Sequence, residues 1–475
     1  NPVWSPDGTE IAYIRTPGLK KHALRNLTGG NPFSIWVANI QTGGAQKIWQ
    51  SPADDGGFAQ YYPAAPLRWT ANDRLLFYSE HENWIHIYSL AADGTALTDL
   101  TPGNSEAEHS ALSPDGRFLY FSSNHGDIDR RDIWKTSTAN GNPVQVTQGE
   151  GIETEPVPLA SGQTIAFRGG GPTRPTAIRI VNSDGSHSKI IFPENLPKGF
   201  PQKLLTTPQQ AIFKAADGWE IHGQLFLPRN AKASDKRPAL IFMHGGPIRQ
   251  MLLGWHYRGY YANAYAMNQY LANQGYVVLA VNYRSGLGYG RAFRRAEKQG
   301  PRGAAEYQDI VDAGKYLQQR PEVDPERIGL WGGSYGGYLT AMGLARNSDL
   351  FKAGVDLHGV HDWKFRGTDF SPGGGWALQG DELLELAYQS SPVADLSKWK
   401  SPVLLIHGDD DRNVLFQQTT DLVQQLRERK VHVETLIFPD EVHGFLRYES
   451  WLRAYRATAA FFNRYLKADA KTTAR

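Results

Sequence analysis

With 475 residues, 40% of them hydrophobic, the chain can bury a large core, and at roughly 150 residues per domain its length favours two or three domains. The 50 basic and 48 acidic residues are mixed along the chain, and the net charge of +2 indicates no nucleic-acid-binding surface. Mean hydropathy is −0.47, and no apolar run approaches the roughly 18 residues of a membrane helix. The absence of cysteine excludes disulfides, thiolate metal sites and a cysteine nucleophile.

The first 195 residues consist of short alternating segments interrupted by Gly, Asp, Asn and Pro. The turn sequence Ser-Pro-Asp-Gly occurs at 5–8 and 113–116, and related turns occur at 69–73 and 159–162. Each turn is followed by two strand patterns. A repeat of about 45 residues with several short strands is typical of β-propeller blades, and an all-β sandwich is the alternative. In these turns proline presets φ and glycine adopts a positive φ.

Four blades form an incomplete ring, and an open ring leaves unpaired sheet edges, which proteins normally avoid. The chain starts at Asn1 inside a repeat, without an initiator methionine or a signal-peptide pattern. We therefore expect an N-terminally truncated propeller with further blades upstream, and a domain of only four blades is the alternative.

From about residue 205 the pattern changes to apolar strands that alternate with helices. The strand patterns lie at 239–243, 276–281, 328–331, 353–357 and 403–406, and the helical patterns near 262–274, 304–319, 336–346, 416–430 and 449–467. Continuous apolar strands separated by helices predict a doubly wound α/β sheet. The proline-rich region 190–212 predicts the linker, so we expect a β domain over 1–195 and an α/β domain over 196–475.

A candidate nucleophile lies in the segment 332–336, whose sequence Gly-Gly-Ser-Tyr-Gly matches G-x-S-x-G between a buried strand and a helix. Such a sharp turn raises the hydroxyl of Ser334 above the sheet, and the helix N-terminus favours negative charge beside it. An ordinary serine in a glycine-rich turn is the alternative, but this context favours a nucleophile.

A serine nucleophile needs a base, and the base needs an acid that orients it. Two later loops follow strands and supply both in the order of the α/β-hydrolases. The first loop contains Asp409, Asp410 and Asp411, among which spacing alone does not choose. The second contains His443, which is favoured as the base over His407 because His407 precedes the acid loop.

The oxyanion of an acyl-transfer reaction needs preorganised donors. One expected donor is the backbone N–H of Tyr335, and the second comes from the loop 244–247, His-Gly-Gly-Pro, after an early core strand. A plain turn is the alternative for this loop.

These segments together resemble the prolyl oligopeptidase family of serine peptidases. The matching segments are 244–247, 282–286, 332–338, 407–414 and 440–444, and the resemblance extends to the propeller. It implies a β-propeller followed by an α/β-hydrolase domain. It also implies that Asp411 is the acid of a triad with Ser334 and His443, and that Tyr335 and Gly246 donate to the oxyanion.

The resemblance is closest to the acylaminoacyl-peptidase-like branch, because His244 stands where the other branches have a tyrosine. It implies that Val360, Trp363 and Val414 form the apolar pocket before the scissile bond. It also implies that Asn413 donates to a substrate carbonyl and that His244 lies among the substrate contacts. Core packing or loop capping is the alternative for the pocket residues.

The paired glutamates with which dipeptidyl peptidases bind a free amine are not recognisable in the sequence. The candidates are scattered, and we expect them to be solvated surface charges: Glu80, Glu82, Glu106, Glu153 and Glu155.

The resemblance implies hydrolysis of short peptides through an acyl-enzyme, without a metal or organic cofactor and without a nucleic-acid or membrane partner. The propeller would cap the site and exclude folded proteins. The sequence leaves open a homo-oligomer and the choice between a bacterial periplasm and cytoplasm. A carboxylesterase is one alternative, against which the propeller argues. A propeller-based binding protein with an inactive hydrolase half is another, against which the ordered Ser, acid and His argue.

Overall fold

The structure, a computed structural model, describes residues 2–16, 32–53, 57, 66–368 and 380–467. The first part of the chain forms four antiparallel sheets of four strands each, in chain order. Strands β1 to β8 of the first two sheets are Val3–Trp4, Glu10–Arg15, Ser34–Asn39, Ala45–Gln50, Leu67–Trp69, Arg74–Ser79, His86–Ala91 and Thr98–Asp99. Strands β9 to β16 of the next two are Ala107–Leu112, Phe118–Ser123, Asp132–Ser137, Val144–Gln145, Ile152–Pro158, Thr164–Gly170, Ala177–Asn182 and Lys189–Phe192.

Consecutive sheets pack against each other as propeller blades. Each neighbouring pair shares an apolar cluster, which includes in turn Ile35 and Phe77, Ile87 and Phe121, and Ile133 and Phe167. The predicted propeller is therefore confirmed. The turn prediction also holds, since Gly8 and Gly116 have φ angles of +73° and +70°.

The second part is an eight-stranded sheet with the order β17-β18-β20-β19-β21-β22-β23-β24. These strands are Gln209–Lys214, Glu220–Phe226, Arg237–Met243, Val277–Asn282, Val323–Gly333, Phe351–Leu357, Val403–Gly408 and Val433–Phe438. Strands β19 to β24 are parallel to one another, as predicted for an α/β-hydrolase domain. Strands β17 and β18 add an antiparallel edge that the sequence patterns did not indicate.

Eight α-helices surround this sheet in the described residues. Helices α1 to α8 are Gly259–Asn273, Arg291–Arg294, Glu306–Gln318, Tyr335–Arg346, Trp363–Thr368, Asp381–Gln389, Gln417–Glu428 and Tyr448–Phe462. The predicted helices correspond to α1, α3, α4, α7 and α8, and the short α2, α5 and α6 were not predicted. Within the described ranges, no helix combines the length and apolar character needed to cross a bilayer.

The central strands of the sheet, such as β20 and β23, are buried on both faces, which explains their continuous apolar sequences. Alternate side chains of β19 enter two different cores, because side chains alternate across a strand. Ile241 packs with α3 and α4 on one face, and Phe242 packs with α1 and α8 on the other.

Buried carboxylates of the propeller bind the α/β domain. Glu80 and Glu106 are fully buried and Glu153 is nearly so, and the prediction of solvated surface charges is wrong for these three. Glu80 forms an ion pair with Arg294, and Glu106 accepts the backbone N–H of Gly288 at 3.1 Å. A buried carboxylate without such partners would be costly, so these contacts fix the segment after β20 against the propeller.

Candidate active site

Ser334 lies on a strained turn between β21 and α4. Its φ angle of +59° is unusual for a residue other than glycine. A Cβ atom on Gly332 or Gly336 would clash with the carbonyl oxygen of Met243 on β19. Glycine at these positions therefore allows the turn to pack directly on the sheet, with the serine at its carboxyl edge, as the sequence predicts.

Asp411 and His443 meet in two loops at the same edge. Asp411 Oδ2 and His443 Nδ1 are 2.6 Å apart. The other carboxylate oxygen of Asp411 accepts the backbone N–H groups of Asn413 and Val414 at 2.8 and 2.9 Å. Asp409 and Asp410 are exposed, so the structure distinguishes Asp411 from its two neighbours, as the family resemblance implies.

His407 contributes to the same network from the end of β23. Its Nε2 atom is 3.1 Å from Asp411 Oδ2, and its Nδ1 atom is 2.8 Å from Thr419 Oγ1. Burial would raise the pKa of Asp411, but the hydrogen bonds from His407 and His443 outweigh it and hold that pKa well below its usual range. Asp411 is therefore ionised and fixed in orientation.

The structure brings a further histidine into the site that sequence reasoning missed. The ring centroid of His358 is 4.3 Å from that of His443, and its Nδ1 atom accepts the backbone N–H of Ser334 at 3.1 Å. Its Nε2 atom is 3.3 Å from the hydroxyl oxygen of Tyr260. His358 directly follows β22, so its place at the carboxyl end of a parallel strand was the available signal.

The two expected oxyanion donors belong to segments that adjoin Ser334. Tyr335 begins α4, so its backbone N–H is one of those that a helix leaves without an intrahelical acceptor. A Cβ atom on Gly245 would be 3.1 Å from the Cβ of Ser334, which shows how closely this loop approaches. The carbonyl of Gly245 accepts the hydroxyl of Tyr261 at 3.1 Å. That carbonyl shares a planar peptide with the N–H of Gly246, so its hydrogen bond also fixes the direction of the donor.

His244 lies beneath this loop, away from the surface. It is 0% exposed, and its ring stacks on Tyr283 with a centroid distance of 4.3 Å. Burial lowers the pKa of His244 to about 3. This placement differs from the predicted substrate contact, because the neutral ring is packed in the interior and supports the loop. The sequence position of His244 alone does not reveal this burial.

The three expected pocket residues lie in the core of the α/β domain. Val360, Trp363 and Val414 are nearly fully buried and belong to one apolar cluster. The ring of Trp363 is 5.9 Å from that of Tyr335 and 5.3 Å from that of Tyr338. The assignment of Val360, Trp363 and Val414 to a substrate pocket stays a prediction, because the alternative of core packing would bury them in the same way.

Asn413 has an exposed side chain at the edge of the site, where an amide donor to a substrate would have to lie. Of the two predicted contact residues in the Asp411 loop, Asn413 is exposed to solvent and Val414 is buried.

Two sets of possible metal ligands occur in the described residues. They are His358, Asp411 and His443 in the site, and Glu82, His86 and Asp99 in the propeller. In each set a histidine nitrogen already lies beside a carboxylate oxygen, at 2.6 Å in the first and 2.8 Å in the second. A hydrogen bond or ion pair satisfies this arrangement without a cation.

The fold and this arrangement define an α/β-hydrolase that carries a β-propeller. Residues 263–469 match the prolyl oligopeptidase family, and residues 40–165 match the dipeptidyl peptidase IV N-terminal region. The α/β domain of the chain is therefore similar to the prolyl oligopeptidase family of serine peptidases, over less than half of the chain.

Curated relatives with related sequences carry peptidase names. The chain is 24% identical to dipeptidyl-peptidase 5 of Porphyromonas gingivalis over 482 residues, which cover 98% of the chain and 66% of that protein. It is 31% identical to dipeptidyl aminopeptidase BIII of Pseudoxanthomonas mexicana over 291 residues, which cover 57% of the chain and 40% of that protein. The chain thus spans less than two thirds of the length of these relatives.

Solved structures share the whole described architecture. A puromycin-hydrolyzing peptidase of Mycobacterium tuberculosis aligns with a TM-score of 0.82 and 21% identity, covering 98% of this chain and 70% of that one. The acylaminoacyl peptidase of Pyrococcus horikoshii aligns with a TM-score of 0.68 and 21% identity, covering 99% and 82%. At this identity the likeness concerns the fold.

Proposed function

We propose that the chain is a serine peptidase that hydrolyses short peptides through an acyl-enzyme, with Ser334, Asp411 and His443 as the catalytic triad. The observation that carries this proposal is the Asp411–His443 pair, whose facing atoms are 2.6 Å apart and which joins two loops at the sheet edge that carries the strained turn of Ser334. The match of residues 263–469 to the prolyl oligopeptidase family and the peptidase names of the relatives support the same reaction class.

In the first step, Ser334 Oγ attacks the substrate carbonyl carbon while His443 accepts the hydroxyl proton through Nε2. Asp411 accepts the Nδ1–H of His443, which selects this tautomer and stabilises the imidazolium that forms. The developing oxyanion is bound by the backbone N–H groups of Tyr335 and Gly246.

In the second step, His443 returns its proton to the leaving amine, the C–N bond breaks and the acyl group remains as an ester on Ser334. Water then enters, His443 removes one of its protons, and the hydroxide attacks the ester carbonyl. Breakdown of this intermediate releases the carboxylic acid and restores the hydroxyl of Ser334.

The second oxyanion donor favours the acylaminoacyl-peptidase type within the family. In this chain a histidine replaces the tyrosine of the other branches, and it is buried with its ring against Tyr283. The donor is then the backbone N–H of Gly246. Glu80 and Glu106, two of the candidates for binding a free amine, are already paired with Arg294 and backbone N–H groups. We therefore propose that an acyl-blocked substrate is cleaved faster than the matching free amine.

A panel of peptide p-nitroanilides with free and acyl-blocked N-termini tests this proposal, with a p-nitrophenyl ester of the same acyl group beside it. Ser334→Ala is expected to abolish hydrolysis of every substrate, while the exposed Ser188→Ala on the propeller serves as the matched control and keeps full activity.

Amide hydrolysis that survives in Ser334→Ala would contradict the assignment of the nucleophile. Ester hydrolysis without any amide hydrolysis in the unmodified chain would favour a carboxylesterase. Faster cleavage of the free-amine substrates would move the chain to the dipeptidyl-peptidase type and leave the triad unchanged.

A further inference from the structure

His358 connects the two halves of the site. The backbone N–H of Ser334 is shared between the carbonyl oxygen of Leu357 at 2.8 Å and the Nδ1 atom of His358 at 3.1 Å. On its other side the His358 ring lies against His443, with 4.3 Å between centroids and 51° between planes. One side chain thus contacts the backbone of the nucleophile and the ring of the base.

The surroundings of His358 fix its protonation and its tautomer. Burial, together with the neighbouring His443 and His407, lowers the pKa of His358 well below its ordinary value, although Asp411 opposes this effect. A neutral imidazole has one acceptor nitrogen. Since Nδ1 accepts from Ser334, the proton is on Nε2, which faces the hydroxyl oxygen of Tyr260 at 3.3 Å.

The backbone of His358 is also under constraint. Its φ angle is +42°, a region that residues other than Gly, Asn and Asp rarely occupy, and its N–H donates to Ile406 on β23 at 2.8 Å. Strain of this kind persists only where surrounding contacts hold it, and it is common at functional sites. His358 is fully buried and is not part of the proposed triad, so its strained backbone points to a role in holding the residues that it contacts.

We propose that His358 is a positioning residue that holds the Ser334 turn and the His443 ring in the geometry needed for proton transfer. This inference rests on the proposed function, since it assumes that these two residues exchange a proton. His358 acts through its contacts with both and does not itself touch the substrate.

Two variants separate its two contacts. His358→Asn retains an acceptor near the position of Nδ1 and tolerates the positive φ, but it removes the ring that packs on His443. His358→Phe retains a ring and removes the acceptor. His361→Asn is the matched control, because His361 is equally buried and bonds to Asp356 and Gln418.

The readouts are kcat and KM for a p-nitroanilide and a p-nitrophenyl ester of the same acyl group, with the melting temperature. Nitrophenolate leaves without a proton, whereas the amine needs one from His443. We expect His358→Asn to lower kcat for the amide about 10²-fold with KM within about twofold, and to lower ester hydrolysis much less. His358→Phe should show a smaller loss, and His361→Asn should keep the wild-type ratio of amide to ester hydrolysis.

The rate at which a fluorophosphonate modifies Ser334, followed by intact mass, tests the same positioning without a peptide substrate. The proposal would be overturned if the His358 variants lost amide and ester hydrolysis equally and in proportion to their fall in melting temperature, as expected of His361→Asn. Wild-type rates in both His358 variants would also overturn it. A chain that reacts with the fluorophosphonate yet cleaves no amide would contradict the proposed function alone, and the phosphonylation rates would still decide the role of His358. No reaction at Ser334 would overturn both.

Discussion

The hydrogen bonds around Asp411 predict which way the side-chain amide of an Asp411→Asn variant will face. One oxygen of this carboxylate accepts two backbone N–H groups, from Asn413 and Val414. The other faces His443 Nδ1 and His407 Nε2. In the asparagine variant, the carbonyl oxygen must stay with the two backbone donors, so the NH2 group takes the position that faces the histidines.

This exchange reverses the polarity of the contact with His443. An NH2 group donates to Nδ1, so the ring proton moves to Nε2, the nitrogen that has to accept the proton of Ser334. The base is then present in the wrong tautomer. We expect kcat for a p-nitroanilide to fall about 10⁴-fold, which corresponds to about 5 kcal/mol of lost transition-state stabilisation.

The assay is kcat and KM on an acyl-blocked p-nitroanilide, with circular dichroism to establish that the variant is folded. KM should change little, because Asp411 is buried and cannot reach a substrate. Asp409→Asn is the matched control, since Asp409 is exposed two residues away. A folded Asp411→Asn variant that keeps more than about a tenth of the wild-type kcat would refute the tautomer argument.

Three further predictions concern stability. Arg294→Met removes a buried ion-pair partner from both Glu80 and Glu106 and should lower the free energy of unfolding by about 3–5 kcal/mol in urea denaturation. Burial raises the pKa of Glu306 from 4.5 to about 8, so folding takes up a proton in this pH window. The melting temperature should therefore fall as pH rises from 4.5 to 8, and less so in Glu306→Gln. Gly336→Ala forces a Cβ against the carbonyl of Met243 and should prevent soluble expression, whereas Gly259→Ala has open space and should be tolerated.

Each of these has a clear contrary result. An Arg294→Met variant as stable as wild type would mean that the carboxylates find other partners or protons. An identical pH profile in Glu306→Gln would remove Glu306 as the source of the pH dependence. An active, soluble Gly336→Ala would show that the turn can move away from β19.

Much of this fold was predictable because its signals are local. The strands of the α/β sheet are buried on both faces, as with Ile241 and Phe242 of β19, so they read as unbroken apolar runs. Two of the blades repeat a Ser-Pro-Asp-Gly turn that local contacts hold, since the hydroxyls of Ser5 and Ser113 donate to Asp7 and Asp115. Strand β17 escaped prediction because it begins inside the region 190–212 that was predicted to be a linker. Strand β18 escaped prediction because polar residues and a glycine interrupt its apolar positions.

The missed features depend on partners far away in sequence. Glu80 is buried because its carboxylate pairs with Arg294, which lies more than 200 positions later in the sequence. The residues next to Glu80 in sequence do not indicate this contact. Nothing in the three-aspartate run shows which carboxylate faces inward, so Asp411 was chosen by resemblance. His358 was missed because a single histidine after a strand has no local feature that separates support of a site from ordinary packing.

The same distant contacts connect the propeller to the oxyanion loop. The hydroxyl of Tyr283 donates to the carbonyl of His244 at 2.6 Å, and the segment that follows Tyr283 is bound to the propeller through Glu106 and Asp129. We infer that the propeller helps to preorganise the loop that carries Gly246. Buried charge pairs add little net stability compared with apolar packing, but they define one arrangement of this segment. In this arrangement the propeller holds the segment after Tyr283, and Tyr283 in turn holds the carbonyl of His244.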